Sequence, residues 1–360
     1  MKPLNILLGN NTLSLLAGSE THTLTLAMQL KEMGHRVSCF SPELGIISEK
    51  LIEAGIPCYS GVLGSGIKPF SYVLEEKVDH KYDVIIANHF HIVEALREQF
   101  PKTPIISTIH GVLHFMDDAA GNTVQAPEHP SLRAGVNQFV AVSEEVQKKL
   151  KDDHTIDSVI IRNFIDVKKF GKLRPATENK PKQFFINTNY AGAHDPEIEV
   201  VREAAKYYGA RVAAVGVNFT QSIDVSKAIE ESDVVFGMGR SVMEGVAAGR
   251  LGIVHGRWGT GGVVRESAIS ELRSCNFSGR NSGGKQASAQ EIIAMIEQYY
   301  HPQFLSWGKE YVARDHNAVF AAEEYVRLAR ELTGGSVFRT TARVNEAVAP
   351  DARPFRLAKS

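Results

Sequence analysis

Short apolar runs alternate along the chain with longer runs in which apolar residues recur at helical spacing. The apolar runs are four or five residues long and mostly rich in β-branched residues, which favours buried strands, whereas the longer runs favour amphipathic helices. In the first half, strands are predicted at 5–8, 36–40, 84–87, 105–108, 139–142 and 159–162. Helices are predicted at 21–33, 48–54 and 144–150, the last of them opened by Ser143. This alternation is typical of a parallel sheet with helices on both faces.

A basic, proline-containing stretch at 168–182 separates this series from a second one and is typical of a linker. In the second series, strands are predicted at 183–187, 211–215, 234–236 and 252–255. A long helix is predicted at 309–332, either packed on its own domain or crossing back to the first. We therefore predict an α/β domain at 1–170, a second α/β domain at 171–308, a helix at 309–333 and a flexible basic tail at 334–360.

The composition excludes several classes of protein. Hydrophobic residues make up 43% of the chain and charged residues 22%, as in ordinary soluble domains, and the net charge of −1 gives no signature of nucleic-acid binding. Cys39, Cys58 and Cys275 are widely spaced, which favours reduced thiols in a cytoplasmic protein over disulfides or a zinc site. No apolar run approaches the roughly 20 residues needed to cross a bilayer, and the N-terminal segment does not resemble a secretory signal.

The predicted tail carries five basic residues against two acidic ones. A merely solvated tail and a tail attracted to an acidic surface both fit this charge. Peripheral association with the inner face of the membrane is therefore left open for an otherwise cytoplasmic protein.

The stretch 233–264 carries the strongest signal for a ligand. A short apolar strand leads into a turn with Gly237 and Gly239, then into a helix that carries Glu244. Such a turn points unpaired N–H groups at an anion, which predicts a nucleotide or another phosphorylated ligand. Ser241 stands where a helix N-cap belongs, so a capping box formed by Ser241 and Glu244 is the structural alternative.

This stretch resembles the donor-binding signature of retaining glycosyltransferases of family 4. Those enzymes have the GT-B architecture, in which two Rossmann-like domains face each other across a cleft. The resemblance implies that Glu244 accepts hydrogen bonds from the ribose hydroxyls of a donor nucleotide. Many members carry another glutamate eight positions earlier, in contact with the transferred sugar. Phe236 occupies that position here, so this first glutamate is absent. The residues 237–241 before Glu244 instead resemble a divergent subgroup with Gly-x-Gly-Arg-Ser before the glutamate.

The turn after the first strand lacks GxGxxG, which argues against an ordinary dinucleotide site. Gly18, Ser19, Glu20 and His22 instead resemble the Gly-x-Glu-x-His segment of the family, whose glycine loop lies beside the donor diphosphate and the acceptor. An N-cap at Ser19, with Glu20 near the helix dipole, explains the same residues equally well.

Histidines follow two of the predicted strands, at the edge of the sheet where α/β proteins bind ligands. His110 follows the strand at 105–108, and the resemblance implies a hydrogen bond from this residue to the donor sugar near the reacting centre. His89 and His91 follow the strand at 84–87 and are candidates for the acceptor side of the cleft. No spacing of ligands suggests a metal, and the family generally needs none.

Asn163, Asp166 and Phe170 resemble the family segment Asn-Gly-Val-Asp-x-x-x-Phe that ends the first domain. The family often places an arginine and a lysine after the first strand of the second domain, where they neutralise the diphosphate, but the stretch 187–194 has neither. Arg240, the helix N-terminus at 241–244 and Arg280 are the candidates to replace them. A surface ion pair is the alternative role for each arginine.

The resemblance as a whole implies a glycosyltransferase that moves a sugar from a nucleotide-diphosphate sugar to a glycan, lipid-linked or small-molecule glycoconjugate, with retention and without a metal or cofactor. By analogy it implies a role in polysaccharide biosynthesis. One alternative is a non-catalytic GT-B protein that binds a nucleotide sugar or glycan or supports a partner transferase. The other is a sugar-nucleotide epimerase. The catalytic candidates are His110, Arg240 and Glu244. The donor-binding candidates are Gly18, Ser19, Gly237, Gly239, Ser241, Glu244 and Arg280. The acceptor-binding candidates are Glu20, His22, His89 and His91.

Overall fold

Two separate, mainly parallel sheets organise the protein, each with one antiparallel edge strand. The computed structural model describes residues 2–14, 16–61, 68–69 (backbone only), 81–112, 135–171, 180–216, 218–219 and 224–334. The predicted tail beyond residue 334 and residues 172–179 of the predicted linker lie outside these ranges. The strands of the first half are β1 (Asn5–Gly9), β2 (Thr12–Leu13), β3 (Arg36–Phe40), β4 (Glu43–Leu44), β5 (Cys58–Ser60), β6 (Lys68–Pro69), β7 (Val84–Asn88), β8 (Ile105–Ile109), β9 (Gln138–Ala141) and β10 (Ser158–Ile160). The strands of the second half are β11 (Gln183–Asn187), β12 (Arg211–Val215), β13 (Val234–Gly237), β14 (Leu251–Gly256) and β15 (Gly259–Val263).

Helices flank both sheets, which confirms the predicted α/β class. Those of the first half are α1 (Gly18–Glu32), α2 (Ile46–Glu53), α3 (Phe90–Gln99), α4 (Glu144–His154) and α5 (Val167–Gly171). Those of the second half are α6 (Pro196–Tyr208), α7 (Ser226–Glu231), α8 (Arg240–Ala247), α9 (Ile269–Ser274), α10 (Ala289–Tyr299), α11 (Pro302–Asp315) and α12 (Ala318–Leu332), with short 3-10 helices at Glu266–Ala268 and Arg280–Ser282. None of the helices in the described ranges is long and apolar enough to span a membrane.

Each sheet has a point at which the strand order reverses. The first sheet runs β10-β9-β8-β7-β1-β3-β5-β6, so the chain leaves β1 toward β3 and later returns to β7 on the other side. The second sheet runs β12-β11-β13-β14-β15, with the reversal between β11 and β13. In open parallel sheets, ligands bind at the carboxyl ends of the strands beside such reversals. The fold therefore marks the ends of β1, β7, β11 and β13 as places for a site.

The last helix packs against the first domain. The aliphatic faces of β1, β3 and α1 form one core with Ala322, Tyr325 and Ala329 of α12. The buried hydroxyl of Tyr325 lies 2.9 Å from the Thr108 hydroxyl at the end of β8, so the two share a hydrogen bond. The preceding helix, α11, packs instead on the second domain, where Tyr311 and Val312 join the core around α8. The chain thus crosses back to the first domain between α11 and α12.

The prediction of one continuous helix at 309–332 is wrong, because the helix breaks at His316 and Asn317. The backbone there bonds to the segment that ends the first domain: Ile165 N–H donates to His316 O at 2.9 Å, and Ala318 N–H donates to Ile165 O at 3.0 Å. The Asn317 side chain accepts from the N–H of Val319 at 3.0 Å and so caps α12. Tertiary bonds therefore replace helical ones at a place where the amphipathic pattern runs on.

The cap of α12 gives a test of this break. Replacing Asn317 with Ala removes the acceptor for an N–H of the first turn, so we expect the free energy of unfolding to fall by about 1 kcal/mol. Asn317→Ser is the matched control, because serine caps nearly as well. Urea unfolding followed by circular dichroism measures both. An equal loss in the two variants would show that the asparagine acts through something other than the cap.

Candidate functional site

A cleft of about 1440 Å³ lies between the two domains. Its walls come from the start of α1 and the ends of β7 and β8 on one side, and from the ends of β11 and β13 with the start of α8 on the other. These are the edges that the strand reversals mark. The predicted site residues that line it are Gly18, Ser19, Glu20, His89, His110, Gly239, Arg240, Ser241, Glu244 and Arg280. The predicted residues outside its lining are His22, His91 and Gly237.

The helix that carries Glu244 starts two residues earlier than a cap at Ser241 predicts. Gly239 is the N-cap, with φ at 56°, and α8 begins at Arg240. This left-handed backbone conformation suits glycine and turns the chain out of β13 before Ser241 is reached. The predicted N-cap and capping box at Ser241 are therefore wrong. With capping removed as an explanation, Glu244 stands in the second turn with its side chain at the cleft.

Gly237 has a packing role beneath the turn. A Cβ atom at this position would lie 2.9 Å from the Ser241 Cβ and 3.0 Å from the carbonyl oxygen of Asn187. Neither distance leaves room for a side chain, and one neighbour is backbone that does not yield easily. Glycine here lets the start of α8 approach the end of β11. Gly237 therefore shapes the cleft without lining it.

Glu244 and Arg240 form the charged centre of the second-domain wall. The Arg240 Nη2 lies 3.8 Å from the Glu244 Oε1, and their side chains are only 10% and 13% exposed. Burial raises the pKa of Glu244 above its ordinary value, although the charges of Arg240 and Lys169 act in the opposite direction. Burial likewise lowers the pKa of Arg240, with Glu244 opposing. The cleft thus holds a carboxylate with few competing partners, ready to accept hydrogen bonds from a ligand.

Arg240 also connects the two domains. Its Nη1 donates to the carbonyl oxygen of Phe164, and its Nη2 donates to the Thr25 hydroxyl on α1 at 3.1 Å. Both terminal nitrogens of the guanidinium therefore donate to the first domain, while Nε has no partner among the described residues. The structure places Arg240 in the cleft, as predicted, but bonded across it.

Arg280 is held in a similar way. Its Nε and Nη2 donate to the Glu145 carboxylate at 2.8 Å and 2.6 Å, a two-point ion pair that joins the second domain to the start of α4. Such fork-to-fork pairing is among the stronger geometries for an arginine. The structure thus shows Arg280 in an ion pair, which was the alternative role for this residue, and the pair joins the two domains.

Two amides reinforce this contact between domains. Asn163 donates to the side-chain oxygen of Asn276 at 3.1 Å, and Asn189 donates to the carbonyl oxygen of Leu16 at 2.9 Å. Both bonds lie beside the cleft, because Asn163, Asn189, Asn276 and Leu16 all line it. The cleft is therefore shaped by direct polar bonds from one wall to the other.

His110 is oriented by a chain of buried amides. Its Nε2 lies 3.0 Å from the Asn88 side-chain oxygen, while the Asn88 amide nitrogen donates to Asn10 and to the Thr23 hydroxyl, each at 3.1 Å. Because the oxygen of Asn88 must accept, Nε2 of a neutral His110 carries the proton. Asn10 and Asn88 were not singled out from the sequence. Their signal is a polar amide placed directly at the end of a buried strand, β1 in one case and β7 in the other.

His22 lies under His110 and away from the cleft surface. It is 1% exposed, and its ring centroid is 4.6 Å from that of His110 and 4.5 Å from that of Phe164. Neither ring nitrogen has a hydrogen-bond partner among the described residues. Burial, assisted by the charge of Arg240, lowers its pKa to about 3. The ring is therefore neutral and supports His110 by packing, a position from which it does not reach an acceptor.

The first turn of α1 also differs from its prediction. The helix begins at Gly18 with Ala17 as N-cap, so the alternative role of Ser19 as a cap is wrong. The Ser19 hydroxyl lies 3.4 Å from His89 Nε2. Glu20 is 4% exposed, one of its oxygens lacks a partner among the described residues, and burial raises its pKa. Ser19 and Glu20 thus present polar groups to the first-domain wall.

His89 and His91 diverge at the start of α3. His89 lines the cleft and has φ at 67°, a left-handed conformation that is uncommon outside glycine and often found at functional sites. His91 bonds to the Asn11 side-chain oxygen at 2.6 Å and faces a separate cavity of about 170 Å³. The structure thus brings His89, but not His91, to the cleft.

Phe236 is a core residue of β13. It is fully buried and packs on Phe184, with ring centroids 5.5 Å apart, and on His255. The position eight residues before Glu244 is therefore inside the sheet, and its side chain does not reach a ligand. No group of three or more potential metal ligands occurs among the described residues.

The first domain matches a known family over residues 16–169, which correspond to the model Glycosyltransferase Family 4. The match covers less than half of the chain and does not extend to the domain that carries Glu244. No curated protein matches this chain.

Solved structures match over nearly the full length. A glycosyltransferase from Rickettsia africae ESF-5 aligns with a TM-score of 0.59 at 13% identity, over 92% of this chain and 100% of the other. HepE of Anabaena in complex with UDP and glucose aligns with a TM-score of 0.60 at 12% identity, over 91% of this chain and 100% of HepE. This protein has the GT-B fold. Sucrose-phosphate synthase from Thermosynechococcus elongatus, at 11% identity and a TM-score of 0.54 over 92% and 100%, agrees with that GT-B assignment.

The buried histidine predicts a pH dependence of stability. An unfolded chain protonates His22 below about pH 6.5, whereas the folded chain resists protonation down to about 3, so acid favours unfolding across this window. We expect His22→Leu to reduce the slope of the unfolding free energy against pH by up to about 1.4 kcal/mol per unit. His316, with its pKa lowered to about 4 by burial, maintains a residual slope.

Urea unfolding at pH 7, 6 and 5 measures the effect. His194→Leu controls for the loss of an imidazole, since this side chain is 95% exposed. If the free energy of unfolding depends on pH with the same slope in wild type and in His22→Leu, His22 is not a buried, neutral ring.

Proposed function

We propose that the protein is a glycosyltransferase that uses a nucleotide-diphosphate sugar as its donor. The observation that carries this proposal is the Glu244 carboxylate, which is buried in the cleft in the second turn of α8. Arg240 is its only ion-pair partner among the described residues. The match of the first domain to Glycosyltransferase Family 4 and the likeness to a solved protein with UDP and glucose bound support it.

The donor would lie mainly on the second domain. Ribose hydroxyls would donate to Glu244, and the diphosphate would lie at the start of α8, next to Gly239 and Ser241. The N–H groups in the first turn of a helix lack intrahelical partners and favour anions. Gly18 on the opposite wall leaves open space, since a Cβ atom there would meet no other atom within 4 Å.

Transfer would occur where His110 faces the cleft. The amide chain from Asn10 through Asn88 fixes the ring so that Nε2 carries the proton. A fixed imidazole can hold the donor sugar without reorganising, which is how preorganised groups stabilise developing charge. Domain contacts that exclude water would protect the reacting centre from hydrolysis. Retention and independence of metal belong to this proposal.

The acceptor would bind the first domain, near Glu20 and His89. Its class would be a glycan or a lipid-linked or small-molecule glycoconjugate. The division of the chain into an acceptor domain at 1–170 and a donor domain at 171–308 is part of the proposal. A role in polysaccharide biosynthesis at the inner face of the membrane stays a prediction.

One observation favours a second candidate, a non-catalytic GT-B protein that binds a nucleotide sugar. Phe236 lies in the core, so the position does not supply the sugar-contacting carboxylate that the family resemblance implies. Turnover of a donor by the purified protein separates the two candidates, because only a transferase releases the nucleoside diphosphate.

Nucleotide binding tests the donor site. Isothermal titration calorimetry with UDP, GDP, TDP and ADP should show micromolar binding of one nucleotide to wild type. Removing the charge in Glu244→Gln should weaken it about 10- to 100-fold, and Glu244→Ala at least as much, since hydrogen bonds to a charged group are lost. Glu203→Gln, an exposed position on α6, is the matched control. Absence of binding by a folded wild type would exclude the donor site.

The role of His110 is tested by separating binding from turnover. With the donor identified, His110→Ala should lower kcat about 100-fold, because a positioned polar group at the reacting centre is lost. The nucleotide Kd should change less than about threefold, since the nucleotide would lie on the opposite domain. His91→Ala is the control, as this neighbour does not line the cleft. Unchanged kcat in His110→Ala would place the reacting centre elsewhere.

A further inference from the structure

An arginine and two aromatic side chains cluster at the second-domain edge of the cleft. Tyr190 follows β11, and Arg257 and Trp258 form the turn between β14 and β15. The Arg257 guanidinium lies 5.4 Å from the Tyr190 ring centroid and 4.5 Å from that of Trp258. We call these three residues the Arg257 cluster. Two of its members, Tyr190 and Trp258, line the cleft directly.

The position of the cluster relates it to the start of α8. Strand β13, which leads into α8, lies between β11 and β14 in the sheet. The ends of those two strands, which carry the cluster, therefore flank the turn at Met238 and Gly239. Gly256 packs on this turn, since a Cβ atom there would lie 2.8 Å from the Met238 sulfur. The cluster thus adjoins the helix N-terminus from the same edge of the sheet.

Among the described residues Arg257 has no hydrogen-bond acceptor, which distinguishes it from the two arginines of the second domain that line the cleft. Arg240 and Arg280, the two arginines by which the second domain lines the cleft, are bonded across to the first domain. Arg257 is exposed and has neither a hydrogen bond nor an ion pair with the described residues. Two ring faces hold its guanidinium by cation–π attraction and leave its N–H donors unused. An oriented guanidinium with unused donors is suited to a planar pair of anionic oxygens.

We propose that Arg257, oriented by Tyr190 and Trp258, binds a diphosphate group of the substrate. This inference rests on the proposed function, and it names the side chain that supplies the positive charge which the stretch 187–194 lacks. The guanidinium fork pairs with phosphate oxygens, while the N–H groups at the start of α8 take another part of the same anion. The diphosphate belongs either to the nucleotide donor or to a lipid-linked acceptor, and both present the same chemistry.

Tryptophan fluorescence offers a direct test. The chain has two tryptophans, and the second, Trp307, stacks on Tyr311 within α11, with ring centroids 5.6 Å apart. In a Trp307→Phe background, emission reports on Trp258 alone. The probes are inorganic pyrophosphate, UDP, GDP, TDP and ADP with their monophosphates, and farnesyl diphosphate with farnesyl monophosphate. We expect diphosphates to change the emission at concentrations at least about tenfold lower than monophosphates.

Variants assign the effect to the guanidinium. Arg257→Ala should raise the apparent Kd for the responding diphosphate at least about tenfold, since charge-assisted hydrogen bonds are lost. The apparent Kd of Arg257→Lys should lie between those of wild type and Arg257→Ala, because an ammonium keeps the charge without the planar fork. Arg202→Ala is the matched control, an arginine of the same domain that is paired with Glu199 on α6. It should bind like wild type.

The pattern of losses identifies the source of the diphosphate. If Arg257→Ala weakens the binding of the nucleoside diphosphate alone, the Arg257 cluster belongs to the donor site. If it weakens the binding of farnesyl diphosphate alone, the cluster belongs to the site of a lipid-linked acceptor. Wild-type affinity of Arg257→Ala for every diphosphate, or no emission change with any probe, overturns the proposal. If no nucleotide binds wild type, the proposed function fails by itself, while pyrophosphate and farnesyl diphosphate still decide the role of Arg257.

Discussion

The whole arrangement depends on one pair of backbone hydrogen bonds between the two segments that join the domains. Ile165, where the chain leaves the first domain, bonds to His316 O and to the N–H of Ala318, where the chain returns. The His316 ring adds a bond to the carbonyl oxygen of Asn163 at 2.7 Å. The two segments by which the chain passes between the domains are therefore hydrogen-bonded to each other. This contact helps to hold the carboxyl edges of the two sheets opposite one another. The cleft lies between these edges, and the polar bonds between its walls add to this contact.

The same contact explains which features the sequence could predict. The buried strands β3 and β11 were predicted at their observed bounds, because short runs of mainly apolar residues indicate burial on both faces of a sheet. The break at Asn317 was not, since the bonds that cause it come from Ile165, more than a hundred residues away in sequence. The N-caps at Ala17 and Gly239 each lie two residues before the serine that the sequence offers as a cap. Tertiary fit, and at Gly239 the backbone conformation that suits glycine, outweighed the preference of serine for caps.

The polar and charged groups of the cleft were also only partly predictable from the sequence. Position at the ends of strands was enough to bring His110, Glu244 and Glu20 to the same cleft, since the carboxyl ends of parallel strands share an edge. The partners of these groups were not predictable, because Arg280 with Glu145 and Arg240 with Thr25 each join residues from different domains. His22 shows the limit most clearly. Its place in a motif pointed to a ligand, but three aromatic neighbours hold it in the core.

The hydrogen bonds between the two segments that join the domains also restrict how the cleft changes its width. Sliding one domain past the other would stretch the bonds of Ile165 to both His316 and Ala318. Rotation about the line that joins these two segments would leave those bonds intact. Moving the walls apart would instead break side-chain bonds between them, such as Arg280 to Glu145 and Asn189 to Leu16. Opening the cleft therefore exchanges side-chain partners for water while the backbone pivot stays in place.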